Sequence, residues 1–95
     1  MKLTVSLRAK KDIRQALKWY EDKQKGLGRR FVDTIRQEFD FIKNNPDSYQ
    51  IRYKNVHTAV VSVFPYLIHY ALDLNKNQIT ILAVIHTSLN PQKWK

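Results

Sequence analysis

The sequence predicts an α+β domain: a strand, two helices in a hairpin, then three or four strands in an antiparallel sheet with the hairpin on one face. Three observations carry this. Two blocks within residues 8–44 repeat apolar side chains at helical spacing. After Pro46 the composition turns to short runs rich in Val, Ile, Thr and Tyr. The two glycines of the chain, Gly26 and Gly28, fall between the helical blocks. Helices followed by strands favour a layered arrangement over alternating β-α-β units.

Each element has its own signal. "KLTVSL" sets Leu3, Val5 and Leu7 on one side of a short strand, and Ser6 suits a helix N-cap. From about Arg8 to Lys25, Ile13, Ala16, Leu17 and Tyr20 recur at i, i+3, i+4, i+7. Lys10, Lys11, Arg14 and Lys18 fall mostly on the opposite face. "KGLGRR" ends this helix and starts the next. From Leu27 to about Asn44 the stripe is Leu27, Phe31, Ile35, Phe39 and Ile42, stopped by Asn44, Asn45 and Pro46. The short link makes the pair an antiparallel hairpin. "QIRYKN", "HTAVVSVF", "YLIHYALD" and "QITILAVIHT" read as strands, with a turn at Asn75–Asn77. Ile79, Ile81, Ala83, Val84 and Ile85 make the last strand apolar on both faces, which places it inside the sheet.

The totals bound the function. Ninety-five residues form one domain, residues 1–95, and the apolar fraction of 43% suffices for a single core. The absence of cysteine excludes disulfides and thiolate metal sites and fits a cytoplasmic protein. No apolar run has the length of a signal peptide core or a membrane span, so no membrane role is expected. The three histidines lack metal-ligand spacing, and two glycines cannot build a phosphate-binding loop, so no metal or cofactor is expected. The net charge is +9 and uneven. Residues 1–30 hold ten Lys/Arg against three Asp/Glu, a balance of +7; residues 31–70 balance to zero; residues 71–95 carry +2. A localised basic excess favours an acidic partner: nucleic acid, ribosome or an acidic protein segment.

Among residues that carry chemistry, His86 stands out because it follows the apolar last strand where the chain leaves the sheet. His69 reads as structural or surface, and His57 as exposed at the start of a strand. Arg52, Tyr53 and Lys54 form a basic-aromatic-basic run that suits phosphate contact and base stacking, or equally a charged edge strand. Tyr66 beside Pro65 sits at a site mouth or packs. Trp94 in the tail "HTSLNPQKWK" packs back or belongs to a site with His86.

These residues resemble a family. "VFPYLIHYALD" and "QITILAVIHTSLNPQKWK" are similar to the C-terminal half of RelE/ParE superfamily toxins, with their "FPY.I.Y" strand, "I.VLAV.H" strand and "P..W" ending. The first half is similar to the family's helical hairpin, through "GLG..F" and "NP". The resemblance covers nearly the whole chain. It implies a β-α-α-β-β-β fold and the toxin role in a type II toxin–antitoxin pair. An acidic cognate antitoxin would neutralise the toxin, in a toxin–antitoxin heterotetramer or beside a toxin homodimer. It also implies that His86 and Trp94 lie near the functional surface.

The target divides the superfamily. ParE-like members poison DNA gyrase; RelE-like members cut mRNA on the ribosome with a cluster of Lys, Arg and Tyr. Leu67 stands where RelE-like nucleases carry a key Arg, and the sequence as a whole is closer to the ParE-like branch. A nuclease reading would rest on Arg52, Lys54 and His86 as catalytic residues. Tyr53, Tyr66, Trp94, Lys10, Lys11 and Arg14 are the candidates for binding target or antitoxin. Many relatives carry Arg at the positions of His57 and Leu89. The chain therefore also reads as an attenuated copy that only binds its antitoxin, in which restoring Arg at both positions would raise toxicity.

Overall fold

The computed structural model describes residues 1–49 and 51–88, apart from the side chains of Arg52 and Tyr53. In chain order the elements are β1 (Lys2–Val5), α1 (Leu7–Lys23), α2 (Leu27–Asn44), β2 (Ile51–Tyr53), β3 (Val56–Val60), β4 (Tyr66–Asp73) and β5 (Gln78–His86). The α+β class holds, and β2 to β5 form the antiparallel part of the sheet in sequence order. β1 adds to this a feature of its own. It pairs in parallel with β5 and gives a five-stranded order β1-β5-β4-β3-β2. β5 is thereby flanked on both sides, in keeping with its apolar faces.

The hairpin packs through a stripe of Ala9, Ala16 and Tyr20 on α1 and Phe31, Ile35 and Ile42 on α2, all buried. It lies on the sheet face formed by Ala59, Val61, Ile68, Tyr70, Ile79, Ile81 and Val84. Large apolar residues on two facing layers remove enough hydrocarbon from water to hold a domain of this size. Ser6 caps α1 as expected: its Oγ accepts from the Ala9 N–H at 3.0 Å. The same hydroxyl donates to the Leu82 carbonyl at 3.1 Å, tying the helix start to β5.

The turn between the helices uses both glycines for separate reasons. Gly26 has φ +87°, a conformation that a Cβ disfavours. At Gly28 a Cβ would come 2.6 Å from Leu17 Cδ1 and 2.7 Å from the Leu17 carbonyl oxygen, so the helices approach by omitting it. The Glu21 carboxylate accepts from the Gly26 and Gly28 N–H groups at 3.0 Å, which satisfies donors at the α2 N-terminus.

His57 is not exposed. It is 6% accessible, its ring stacks on Tyr70 with centroids 5.0 Å apart, and its Nδ1 lies 2.8 Å from the Tyr49 carbonyl oxygen. The Tyr70 hydroxyl donates to the Pro46 carbonyl at 2.7 Å. Together these two side chains pin the segment after α2 to the sheet. The expectation of an exposed His57 at the start of a strand is therefore corrected: Tyr70 opposite it makes a dry stack. His69 is also buried, on the opposite face of β4. Leu89, the other position where many relatives are expected to carry Arg, lies outside the described residues.

Candidate functional site

A concavity of about 730 Å³ lies between α1 and the C-terminal end of β5. Its existence follows from strand length. β1 pairs with β5 only as far as Ile81, so among the described residues the edge of β5 from Leu82 onward has no strand beside it. α1 takes that place. Asp12 accepts from the Val84 N–H at 3.0 Å and so satisfies an edge donor with a side chain. Arg8, one turn earlier, lies 3.7 Å from the same carboxylate.

Aromatic side chains form one wall. Trp19 is 56% exposed, meets Tyr20 edge-on at 5.0 Å, and has the Lys23 ammonium 5.0 Å from its ring centroid. Tyr66 meets Tyr20 at 6.2 Å and His86 at 5.1 Å, both steeply inclined. Pro65, Val84 and Ile85 complete the apolar lining, with Gln15 and Ser88 at the polar margin.

The protons can be assigned. The backbone N–H of Ser88 lies 3.1 Å from His86 Nδ1, and a backbone amide only donates, so Nδ1 is the acceptor. The Ser88 hydroxyl, 2.7 Å from the same nitrogen, then donates as well. Burial pushes the Tyr66 hydroxyl up, and Tyr20 and Asp12 add to the shift. Burial also raises Tyr20, offset in part by its bond to Tyr66. Both phenols are therefore proton donors at neutral pH, and neither is a base. The cleft offers aromatic surface, hydrogen-bond donors and one guanidinium.

The candidates named from sequence separate into three places. Tyr66 and His86 come together as partners across β4 and β5. Lys10 and Arg14 line a second groove on the other side of α1, and Lys11 is exposed on that helix. Lys54 stands in the turn after β2 with φ +48°. It lies at the far end of the sheet from His86. Val56, just beyond it, pairs with Ala71, which pairs with Thr80, six residues before His86. At ~3.3 Å per residue that is about 20 Å along the strand. Arg52 and Tyr53 belong to β2, and Trp94 lies outside the described residues. Sequence reasoning missed Arg8, Asp12, Trp19 and Ser88. The signal available was a stripe of Arg8, Asp12, Gln15 and Trp19 along one flank of α1, where an acid and an indole interrupt a basic surface.

Among the described residues, no group of three or more His, Asp and Glu could hold a metal ion, and no helix is long and apolar enough to cross a membrane.

Comparison with known proteins bears on these features. Residues 3–91 match the family model described as the ParE toxin of the type II toxin–antitoxin system parDE. Among solved structures, a chain of the chromosomal ParDE system from P. aeruginosa superposes with a TM-score of 0.69 at 13% identity, covering 93% of this chain and 97% of that one. The isolated E. coli RelE toxin gives a TM-score of 0.69 at 14% identity, covering 98% of this chain and 90% of that one. At these identities the two structures speak to the fold. No curated protein sequence matches the chain.

Proposed function

The chain belongs to the ParE toxin family of type II toxin–antitoxin systems, and from that premise we propose that it arrests growth by binding an essential target, DNA gyrase, through the cleft between α1 and β5. An acidic antitoxin neutralises it. In this reading Tyr66, His86 and Trp19 are contact residues, and the protein acts as a ligand of its target and has no reaction of its own.

The observation that carries this reading is the separation of His86 from Lys54 by most of the length of the sheet. Phosphodiester cleavage needs a base, an acid and cations converging within a few ångströms of one phosphate. The cleft instead presents phenols that stay protonated and an imidazole whose Nδ1 is occupied by Ser88. Leu67, where RelE-like nucleases carry a key Arg, is buried in the sheet. A wall of Trp19, Tyr20 and Tyr66 suits protein recognition, where aromatic anchors supply most of the affinity.

The test pairs two assays on the purified chain. Inhibition of gyrase supercoiling with mRNA left intact in cell-free translation is the expected result. Trp19→Ala and Tyr66→Ala should each weaken the inhibition by about tenfold or more. Cleavage of mRNA at ribosomal A-site codons would replace this reading with the ribosome-dependent endoribonuclease, with Arg52, Lys54 and His86 as the residues to test. Neither effect, together with retained antitoxin binding, would leave an attenuated copy.

A further inference from the structure

Four exposed cations share one side of α1: Lys10, Lys11, Arg14 and Lys18. At about 100° per residue they fall within an arc of about 100°, along about 12 Å of helix. The one acid between them in sequence, Asp12, points about 150° away from the middle of that arc. It is held there by Arg8 and by the Val84 N–H. Glu21, the next acid, turns its carboxylate to the Gly26 and Gly28 N–H groups. Asp22, about one turn after Lys18, ends the stripe. Among the described residues the ion pairs are Arg8–Asp12 and Arg29–Asp33, so none of the four cations has a carboxylate partner. Lys10 and Arg14, and Arg14 and Lys18, are like charges at i, i+4, which repel and weaken the helix that carries them. A polyanion laid along the stripe relieves that repulsion.

Charge density selects the polyanion. A nucleic-acid duplex carries one phosphate charge per about 1.7 Å of axis, so about seven lie along the 12 Å of the stripe. A facing row of carboxylates on an acidic helix supplies about one per turn, two or three over the same length. Phosphate backbone is therefore the closer match. Residues 10–18 include no aromatic side chain, so this side of α1 offers bases nothing to stack on. That favours a duplex over a single strand and makes the binding independent of sequence. Arg8, Asp12 and Trp19 of the cleft lie about 130° round the helix from the stripe, so a duplex seated there leaves the cleft open.

We propose that the Lys10–Lys18 side of α1 docks on the phosphate backbone of duplex DNA while the α1–β5 cleft engages the protein target. The preference for a dense polyphosphate stands on the charge of α1 alone. The choice of DNA rests on the gyrase reading, since that target works on a DNA duplex.

The test titrates the intact chain onto a labelled DNA duplex by fluorescence anisotropy at several salt concentrations. Four phosphate contacts at about 0.9 each give log affinity a slope of about −3.6 on log salt. Affinity should then fall by about 150-fold between about 50 and 200 mM. Lys11→Gln together with Lys18→Gln should bring the slope to about −1.8 on any duplex sequence. Glutamine keeps the helix propensity of lysine, and circular dichroism checks the fold. Lys76→Gln, in the turn between β4 and β5, removes an exposed charge elsewhere and should leave the slope unchanged. A slope shallower than about −1, a double variant with the slope of the parent, or displacement of the duplex by polyglutamate at equal charge would each overturn the proposal. An RNA duplex bound more tightly than the DNA would overturn the choice of DNA. The titration contains no gyrase. DNA binding with supercoiling left intact would therefore sink the gyrase reading and keep the phosphate surface, and gyrase inhibition without DNA binding would sink the surface alone.

Discussion

Tyr70→Phe tests the buried clamp behind α2. The Tyr70 ring is fully buried and stacked on His57, and its hydroxyl donates to the Pro46 carbonyl at 2.7 Å. Burial, reinforced by Tyr49 and Asp47, pushes this phenol up to about 12. In an unfolded chain it ionises near about 10. Below the lower value both states keep the proton. Between the two values the unfolded chain loses it and the folded chain does not, so stability falls as pH rises. At 1.36 kcal/mol per unit, two units amount to about 2–3 kcal/mol. Phe removes that titration and, at neutral pH, costs about 1 kcal/mol for the lost hydrogen bond. The variant should therefore be less stable than the parent at about pH 8, and the two should become equal near about pH 11. Urea unfolding followed by circular dichroism across this range measures both lines. The raised phenols of Tyr20, Tyr49 and Tyr66 are common to both proteins and cancel. A gap that stays constant from neutral to alkaline pH would refute the argument.

Three further outcomes follow from positions described above. Gly28→Ala places a methyl 2.7 Å from the Leu17 carbonyl oxygen, which is backbone and cannot turn aside; after about 1 kcal/mol of regained helix propensity the net loss should be about 1–2 kcal/mol, read as a fall in melting temperature. His57→Arg should destabilise by about 2–4 kcal/mol, because it buries a charge and breaks the stack on Tyr70, and growth assays should show no gain in toxicity. Val63 is 80% exposed with φ +74°, a strained state for a β-branched residue; Val63→Gly should raise stability by about 0.5–1 kcal/mol in chemical denaturation, as relief of strain exceeds the entropy of glycine.

The helices were legible because their signals are local. The stripe Leu27, Phe31, Ile35 shows its period within three turns, and Ser6 announces a cap wherever the rest of the chain lies. β1 was legible as a strand but not as a parallel partner of β5, since four residues carry no mark of what they will pair with. The site suffered from the same limit. Tyr66 and His86 were each singled out, yet that they face one another depends on the register of β4 against β5. The distance between Lys54 and His86 depends on that register too. Arg8 and Asp12 drew no notice because an i, i+4 ion pair is common on a helix surface; that Asp12 also holds a strand edge required knowing where β1 stops. His57 was misread for a similar reason. A polar residue at a strand start is most often wet, and only Tyr70 opposite it makes a dry stack.

The parallel pairing of β1 with β5 has a consequence for biosynthesis. Ser6 bonds to Leu82, 76 residues away, and Asp12 bonds to Val84 across 72. The helical hairpin is built from near neighbours and can form while the chain is still being made. The cleft cannot, because its second wall is the last strand to be synthesised. A nascent chain thus holds the paired helices before it holds the α1–β5 cleft, and β1 finds its only strand neighbour when the last strand is released.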